Sequence, residues 1–191
     1  MAWARRIIGK VALSVGAGVG ALVGYLAVLH YSGNFHLVLA NELYRSAQIS
    51  DADLRDYRSR FGIRSVLNLR GAAPGEPWYD EELAATKALG LTLVDFPMSA
   101  SQEVGAEDAA RLIAVMRAMP KPLLVHCKQG SDRTGLAVSL YLAAISGVSE
   151  EEAEGALSLW YGHFSVPYLS DAYPMDESWE RLEAGLGFKE S

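Results

Sequence analysis

A single cysteine, Cys127, among 191 residues excludes a disulfide framework and any all-cysteine metal site. The four histidines show no metal-ligand spacing, so the sequence calls for no metal and no cofactor. Basic residues are in deficit, with 17 Lys and Arg against 23 Asp and Glu and a pI near 5.2, which argues against a nucleic-acid partner. Proline-rich linkers, internal repeats and low-complexity tracts are absent, so nothing divides the globular part. Half of the residues are hydrophobic and a fifth are charged, enough for a packed core.

The N-terminus carries one long apolar run. Ile7 to Leu29 is apolar apart from Lys10 and Ser14. At about 1.5 Å per residue, 23 helical residues rise roughly 34 Å, enough to cross a hydrocarbon core of about 30 Å. Arg5, Arg6 and Lys10 lie at its start, and no Lys or Arg follows until Arg45. The positive-inside bias therefore leaves the N-terminus in the cytoplasm and exports the rest, into the periplasm in a Gram-negative cell. The competing reading is a cleaved signal peptide, but the exit Ala27-Val28-Leu29-His30-Tyr31-Ser32-Gly33 has no A-x-A site. The expectation is a single-pass anchor over residues 1–33 and a globular domain over 34–191. Gly16, Gly20 and Gly24 recur every four residues and offer a face for helix pairing, against the alternative that glycine is simply common in membrane helices. Residues 1–33 hold three of the cations and no carboxylate. The remainder has 14 against 23, a net of −9, so any anion site must be built locally.

In the globular part Ser50 with Asp53 predicts a capping box opening a helix to about Phe61, stopped by Gly62. Ile63–Arg70 and Leu91–Met98 read as strands on either side of a helix over about Trp78–Leu89. A third helix is predicted over about Ala106–Met119, a strand over Leu123–His126, and a helix from Thr134 to about Ser146. Further helices are expected from Glu150 and over about Met175–Leu186, with Tyr161–Tyr173 irregular. Strands alternating with helices give an α/β class with a mostly parallel central sheet.

The string Leu123-Leu-Val-His-Cys-Lys-Gln-Gly-Ser-Asp-Arg-Thr-Gly135 carries the chemistry. It lies where a strand ends and a helix begins, so successive backbone N–H groups and the helix dipole converge on one point that can hold a tetrahedral oxyanion. Gly130 allows the tight curvature. Arg133, six positions after the cysteine, can grip two phosphate oxygens with its planar fork. The same field favours the Cys127 thiolate. His126 can brace the loop, and Thr134 can hydrogen-bond the sulfur. Lys128, Gln129, Gly130 and Ser131 line the anion position. Individually, Cys127 reads equally as a small buried hydrophobe and Arg133 as a surface ion-pair partner.

This string resembles the Cys-x5-Arg signature of the cysteine-dependent protein tyrosine phosphatase superfamily. The similarity extends over about residues 34–180, to the small bacterial dual-specificity phosphatases. It runs through Asn34-Phe-His36, Glu42-Leu-Tyr-Arg-Ser-Ala-Gln48, Ser65–Arg70, Tyr161-Gly-His-Phe164 and Met175-Asp-Glu-Ser-Trp179. The resemblance implies a two-step phosphomonoester hydrolysis through a cysteinyl-phosphate on Cys127, with backbone N–H groups and Arg133 holding the equatorial oxygens. Implied substrates are a phosphorylated protein, an inositol phosphate or a phospholipid headgroup.

The general acid is the point of departure from the family pattern. The loop Ser99–Gly105 contains no Asp. Asp95 lies 32 residues before the cysteine but inside a predicted strand, and Glu103, Glu107 and Asp108 lie further along. Asp132 sits inside the loop, as in the Asp-Arg-Thr variant of myotubularin-like enzymes. Its alternative role is to pin the loop. Arg70 ends a strand at the same sheet edge and is a substrate or structural residue. Arg45 carries the same two readings, and His163 reads as packed or catalytic. Two rival functions remain: a catalytically silent phosphate-binding module and a sulfur transferase.

Overall fold

The computed structural model describes residues 2–188; the side chains of residues 2–9, 11 and 12, with the predicted charges of Arg5 and Arg6, lie outside the described residues. Two units separate at residue 32.

The first unit is one helix, α1 (Ala2–Tyr31). Its stretch Leu13–Tyr31 is long and apolar enough to cross a membrane, with a mean hydropathy of 1.7 and only 6% of that window buried. A signal sequence meets the same description. Gly16, Gly20 and Gly24 lie on exposed turns, with open space where a Cβ would stand.

The second unit contains the sheet. Its elements in chain order are β1 (His36–Leu39), β2 (Leu43–Ser46), α2 (Asp51–Phe61), β3 (Ser65–Asn68), α3 (Pro77–Ala88) and β4 (Thr92–Asp95). There follow α4 (Ala106–Ala118), β5 (Leu123–His126), α5 (Asp132–Tyr141), α6 (Glu150–Glu154) and α7 (Tyr173–Glu183). The strands lie in the order β1-β2-β5-β3-β4, with β1 antiparallel to β2 and the other pairs parallel.

Every residue of β2, β3 and β5 is buried, as expected of strands covered on both faces. Alternation then sorts side chains between two cores. Leu67, Leu123 and Val125 join Leu112, Met116, Leu136, Leu140 and Trp179 on one face. Val66 and Leu124 join Leu54, Tyr57 and Ala85 on the other.

Helix boundaries follow local chemistry. Ser50 and Asp53 form the predicted capping box, and Gly62 ends α2 in the left-handed region at φ 69°. β1 and β2 have no counterpart among the predicted strands, and three further elements depart from expectation. β3 and β4 are shorter than the apolar runs that announced them, because the residues beyond Asn68 and Asp95 turn into site loops. α5 begins at Asp132 rather than Thr134, so Asp132 and Arg133 lie in its first turn. Beyond Tyr141 it continues as a π-helical turn, Leu142–Ser146, closed by Gly147 at φ 67°.

Parallel pairing aligns Ser46, His126, Asn68 and Asp95 as one row across the carboxyl end of the sheet. Ligands bind α/β sheets outside such a row, and the loops leaving these four residues build the site.

Candidate active site

Cys127 follows the last residue of β5 and is only 2% exposed, yet its sulfur faces the loop rather than the core alone. The Gly130 N–H donates to Sγ at 3.2 Å. Gly130 adopts φ 73°, and a Cβ there would stand 2.6 Å from the Ser46 carbonyl and 2.7 Å from the Ala47 nitrogen. Both the conformation and the contact demand glycine.

The carbonyls of residues 128–131 all have partners outside the loop. The Gln48 N–H donates to Lys128 O (3.3 Å), and Asn34 Nδ2 donates to Gln129 O (3.0 Å). Arg45 Nη2 donates to Gly130 O (2.9 Å) and Ser131 O (3.3 Å), and the Gly135 N–H also donates to Ser131 O (2.7 Å). With the carbonyls so engaged, the peptide N–H groups are left to the interior of the loop, which is the geometry of an anion nest.

Arg45 is fully buried on β2. Its Nη1 donates to Ala156 O (2.9 Å), and its guanidinium lies 3.8 Å from the Tyr161 ring centroid. Burial lowers its pKa to about 10, which leaves it charged at neutral pH. Neither reading as a surface substrate contact nor as an ordinary ion pair fits a side chain so enclosed: it braces the loop from behind.

Arg133 is half-buried. Its Nη1 donates to Met98 O (3.2 Å) and Leu69 O (3.4 Å), which bridges the loops leaving β4 and β3. Burial and then the neighbouring Arg133 cation push the pKa of Arg70 down, while the charges of Glu82 and Cys127 oppose that shift. Its guanidinium stacks 3.3 Å from the Trp78 ring centroid, and Nη1 donates to Gln48 Oε1 (2.5 Å).

That contact starts a chain into the interior. Gln48 Nε2 donates to Glu82 Oε2 (2.8 Å), and His126 Nε2 donates to Glu82 Oε1 (2.8 Å), with the His126 and Glu82 side chains fully enclosed. The strong bond of His126 therefore goes to Glu82 on α3 and not to the loop, to which Nδ1 makes only a 3.4 Å contact at Cys127 O. Thr134 is buried, and its hydroxyl has no hydrogen-bond partner among the described residues, which leaves it available to a sulfur or an anion. Lys128 and Gln129 are exposed at the loop's outer edge, and Ser131 is buried.

The two acid candidates sit in different settings. Both oxygens of Asp95 are engaged, Oδ2 by Tyr79 OH (2.6 Å) and Oδ1 by Asn68 Nδ2 (2.8 Å). Among the described residues Asp132 commits only Oδ1, to His163 Nδ1–H (2.8 Å), and its side chain is 22% exposed. His163 also donates from Nε2 to Asp176 on α7 (3.1 Å). Burial opposes its charge, but the two carboxylate hydrogen bonds prevail and raise its pKa to about 9. In the same way burial disfavours ionised Asp176, yet the His163 bond holds its carboxyl below the usual range. His163 is thus a packed imidazolium that ties α5 to α7. Glu103 pairs with Arg181 and Asp108 with Arg111, away from Cys127's hydrogen-bond partners.

Asn34, Gln48 and Glu82 were not singled out by sequence. Glu82 had a readable signal, because Tyr79, Glu82 and Thr86 share the buried stripe of α3, where a carboxylate requires a partner.

The family model described as DSP-PTPase phosphatase fused to NAD+ kinase matches residues 32–164. No curated protein matches the chain in sequence. Among solved structures, P. aeruginosa TpbA in complex with pTyr aligns at TM-score 0.62 and 18% identity, over 83% of this chain and 93% of that one. PTPMT1 aligns at TM-score 0.59 and 17% identity, over 80% and 98%. Tk-PTP in its active form aligns at 0.56 and 17%, over 78% and 97%. At these identities the likeness is one of fold.

The His163 pair makes a pH prediction. A histidine raised from 6.5 to about 9 contributes stability that is complete below pH 6.5 and lost as pH rises through 9. Thermal unfolding of the full chain should show a decline over that window, worth no more than about 3 kcal/mol. His163→Gln should flatten that decline; parallel pH profiles for the two proteins would refute the ion pair.

Proposed function

This chain belongs to the family of DSP-PTPase phosphatases described as fused to NAD+ kinase, and on that footing we propose that it hydrolyses phosphomonoesters through a cysteinyl-phosphate on Cys127. It is a phosphatase of the protein tyrosine phosphatase superfamily. The observation that carries the mechanism is the Gly130 N–H directed at the Cys127 sulfur, inside a loop whose carbonyls are all held outward.

In the first step the thiolate attacks phosphorus, an S–P bond forms, and the bond to the leaving oxygen breaks. Loop N–H groups and the Arg133 fork hold the three equatorial oxygens as charge redistributes. A proton reaches the leaving oxygen from Asp132, whose second oxygen is uncommitted; the saturated hydrogen bonding of Asp95 makes it the weaker candidate. In the second step Asp132 accepts a proton from water, the hydroxide attacks phosphorus, and the S–P bond breaks. Thr134 offers a hydrogen bond to the departing thiolate.

A phosphotyrosine-bearing protein is the substrate favoured, since the TpbA structure of like fold holds pTyr. A polyanionic inositol phosphate or lipid headgroup is the second reading, supported by Arg70 near Arg133 and by Lys128 exposed on the loop in an otherwise acidic domain. We further propose that α1 is an uncleaved anchor with the phosphatase domain outside the cytoplasm. Its exposed apolar stretch and the confinement of cations to its N-terminal side support this.

Three outcomes are expected. Cys127→Ser should abolish turnover across phosphotyrosyl peptides, inositol phosphates and phosphoinositides, and equal activity in the variant would remove the nucleophile. A folded wild-type protein without vanadate-sensitive turnover on any of them would instead mark a silent binding module. Asp132→Asn should lower kcat about 10²–10⁴-fold on phenyl phosphate but far less on activated aryl esters; equal losses on both would reject it as the acid. Finally, the protein should resist alkaline carbonate extraction from membranes and keep its N-terminal residues, whereas a mature form starting after Tyr31 would identify a cleaved leader.

A further inference from the structure

Arg45 poses an electrostatic problem. A fully enclosed guanidinium is expensive unless a counter-charge and hydrogen bonds offset its lost hydration. Three carbonyl oxygens and an aromatic face satisfy part of it. Among the described residues no carboxylate comes within ion-pair distance, and Nε has no partner. The groups whose anionic forms favour its charge are Tyr161, Cys127 and Asp132, and Tyr161 presents its ring face rather than an oxygen to the guanidinium. Asp132 already faces the His163 imidazolium. The anion left to balance Arg45 is the one the loop holds.

We propose that Arg45 is a positioning residue for the phosphoryl-transfer site, a cation beneath the loop that turns two carbonyls outward and is neutralised by the Cys127 thiolate or the bound phosphate on the other side. Two consequences follow from one side chain. Its fork fixes the peptide planes at Gly130 and Ser131, the stretch that carries the N–H aimed at sulfur. Its charge adds a favourable field at the anion position that does not depend on half-buried Arg70 or exposed Lys128. Asn34 supplies the uncharged counterpart: it turns the Gln129 carbonyl outward by the same means, and holds Tyr161 O (2.9 Å), the residue whose ring covers Arg45.

This role rests on the phosphatase reading, but its test needs no turnover. The full chain in detergent micelles is titrated for the rate of Cys127 alkylation by iodoacetamide against pH, and for vanadate affinity. Arg45→Met should move the alkylation midpoint up by about one pH unit or more and weaken vanadate binding at least about tenfold. Arg45→Lys, which keeps the charge and loses the fork, should leave the midpoint near wild type while still weakening vanadate. Asn34→Ala should likewise weaken vanadate without moving the midpoint, because it removes no charge. A folded Arg45→Met protein with wild-type midpoint and affinity overturns the proposal. If that variant does not fold, Arg45→Lys decides: unchanged vanadate affinity overturns the role of the fork, and weakened affinity at an unshifted midpoint supports it. Absence of phosphatase turnover in the wild type would reject the enzymatic reading alone, since the alkylation and vanadate comparisons would still decide Arg45.

Discussion

A peptide loop binds an anion only if its N–H groups face inward, and a peptide plane that turns its N–H inward must turn its carbonyl outward. The loop at Cys127 meets this demand by giving carbonyls 128–131 partners behind it, from Gln48, Asn34 and Arg45. Those partners come from the stretch just before β1, from β2 and from the residue pair following it. They can reach the loop because β2 lies directly beside β5, with Arg45 opposite Val125 and Ser46 opposite His126. The strand order is therefore a condition of the chemistry. A β5 with no parallel neighbour on that side would present the same Cys-x5-Arg string with unsupported carbonyls.

The domain outside α1 carries a formal net charge of −9, yet its proposed substrate is an anion. Local placement resolves the conflict. Arg45 lies under the loop, Arg133 beside it, and Arg70 on Trp78 near Arg133, while nearby carboxylates are occupied: Glu82 by His126 and Gln48, Asp95 by Tyr79 and Asn68, Asp176 by His163. At short range such arrangement outweighs the mean field, which ionic screening reduces over about 8–10 Å.

How much of this could be read from the chain alone depended on the range of the interaction. Local signals transferred well. The Ser50–Asp53 box, the Gly62 stop and the Leu123–His126 strand involve neighbours in sequence, and each is present. Gly130 was legible as a tight turn, but its second reason, the 2.6 Å approach to Ser46, joins residues 84 positions apart. β1 and β2 went unassigned, because two four-residue strands joined by a short turn offer little periodicity. Arg45 was visible as a letter in a shared string; its burial was not, because a lone arginine in a short segment carries no sign of which face it occupies. The Asp132–His163 pair likewise needed the fold, since its members lie 31 positions apart across helical and irregular chain.

The strings shared with the dual-specificity phosphatases acquire a common physical reason from this geometry. Asn34, Arg45 and Gln48 hold the loop's carbonyls, Tyr161 covers Arg45 and its carbonyl receives Asn34, and His163 donates to Asp132 in the first turn of α5 and to Asp176 in the first turn of α7. Segments distant in sequence thus converge on the loop that follows Cys127. None of these contacts exists in an unfolded chain. Burial of Arg45 and the outward turn of the loop's carbonyls are then two expressions of one event, the docking of β2 and the 156–163 segment against the loop.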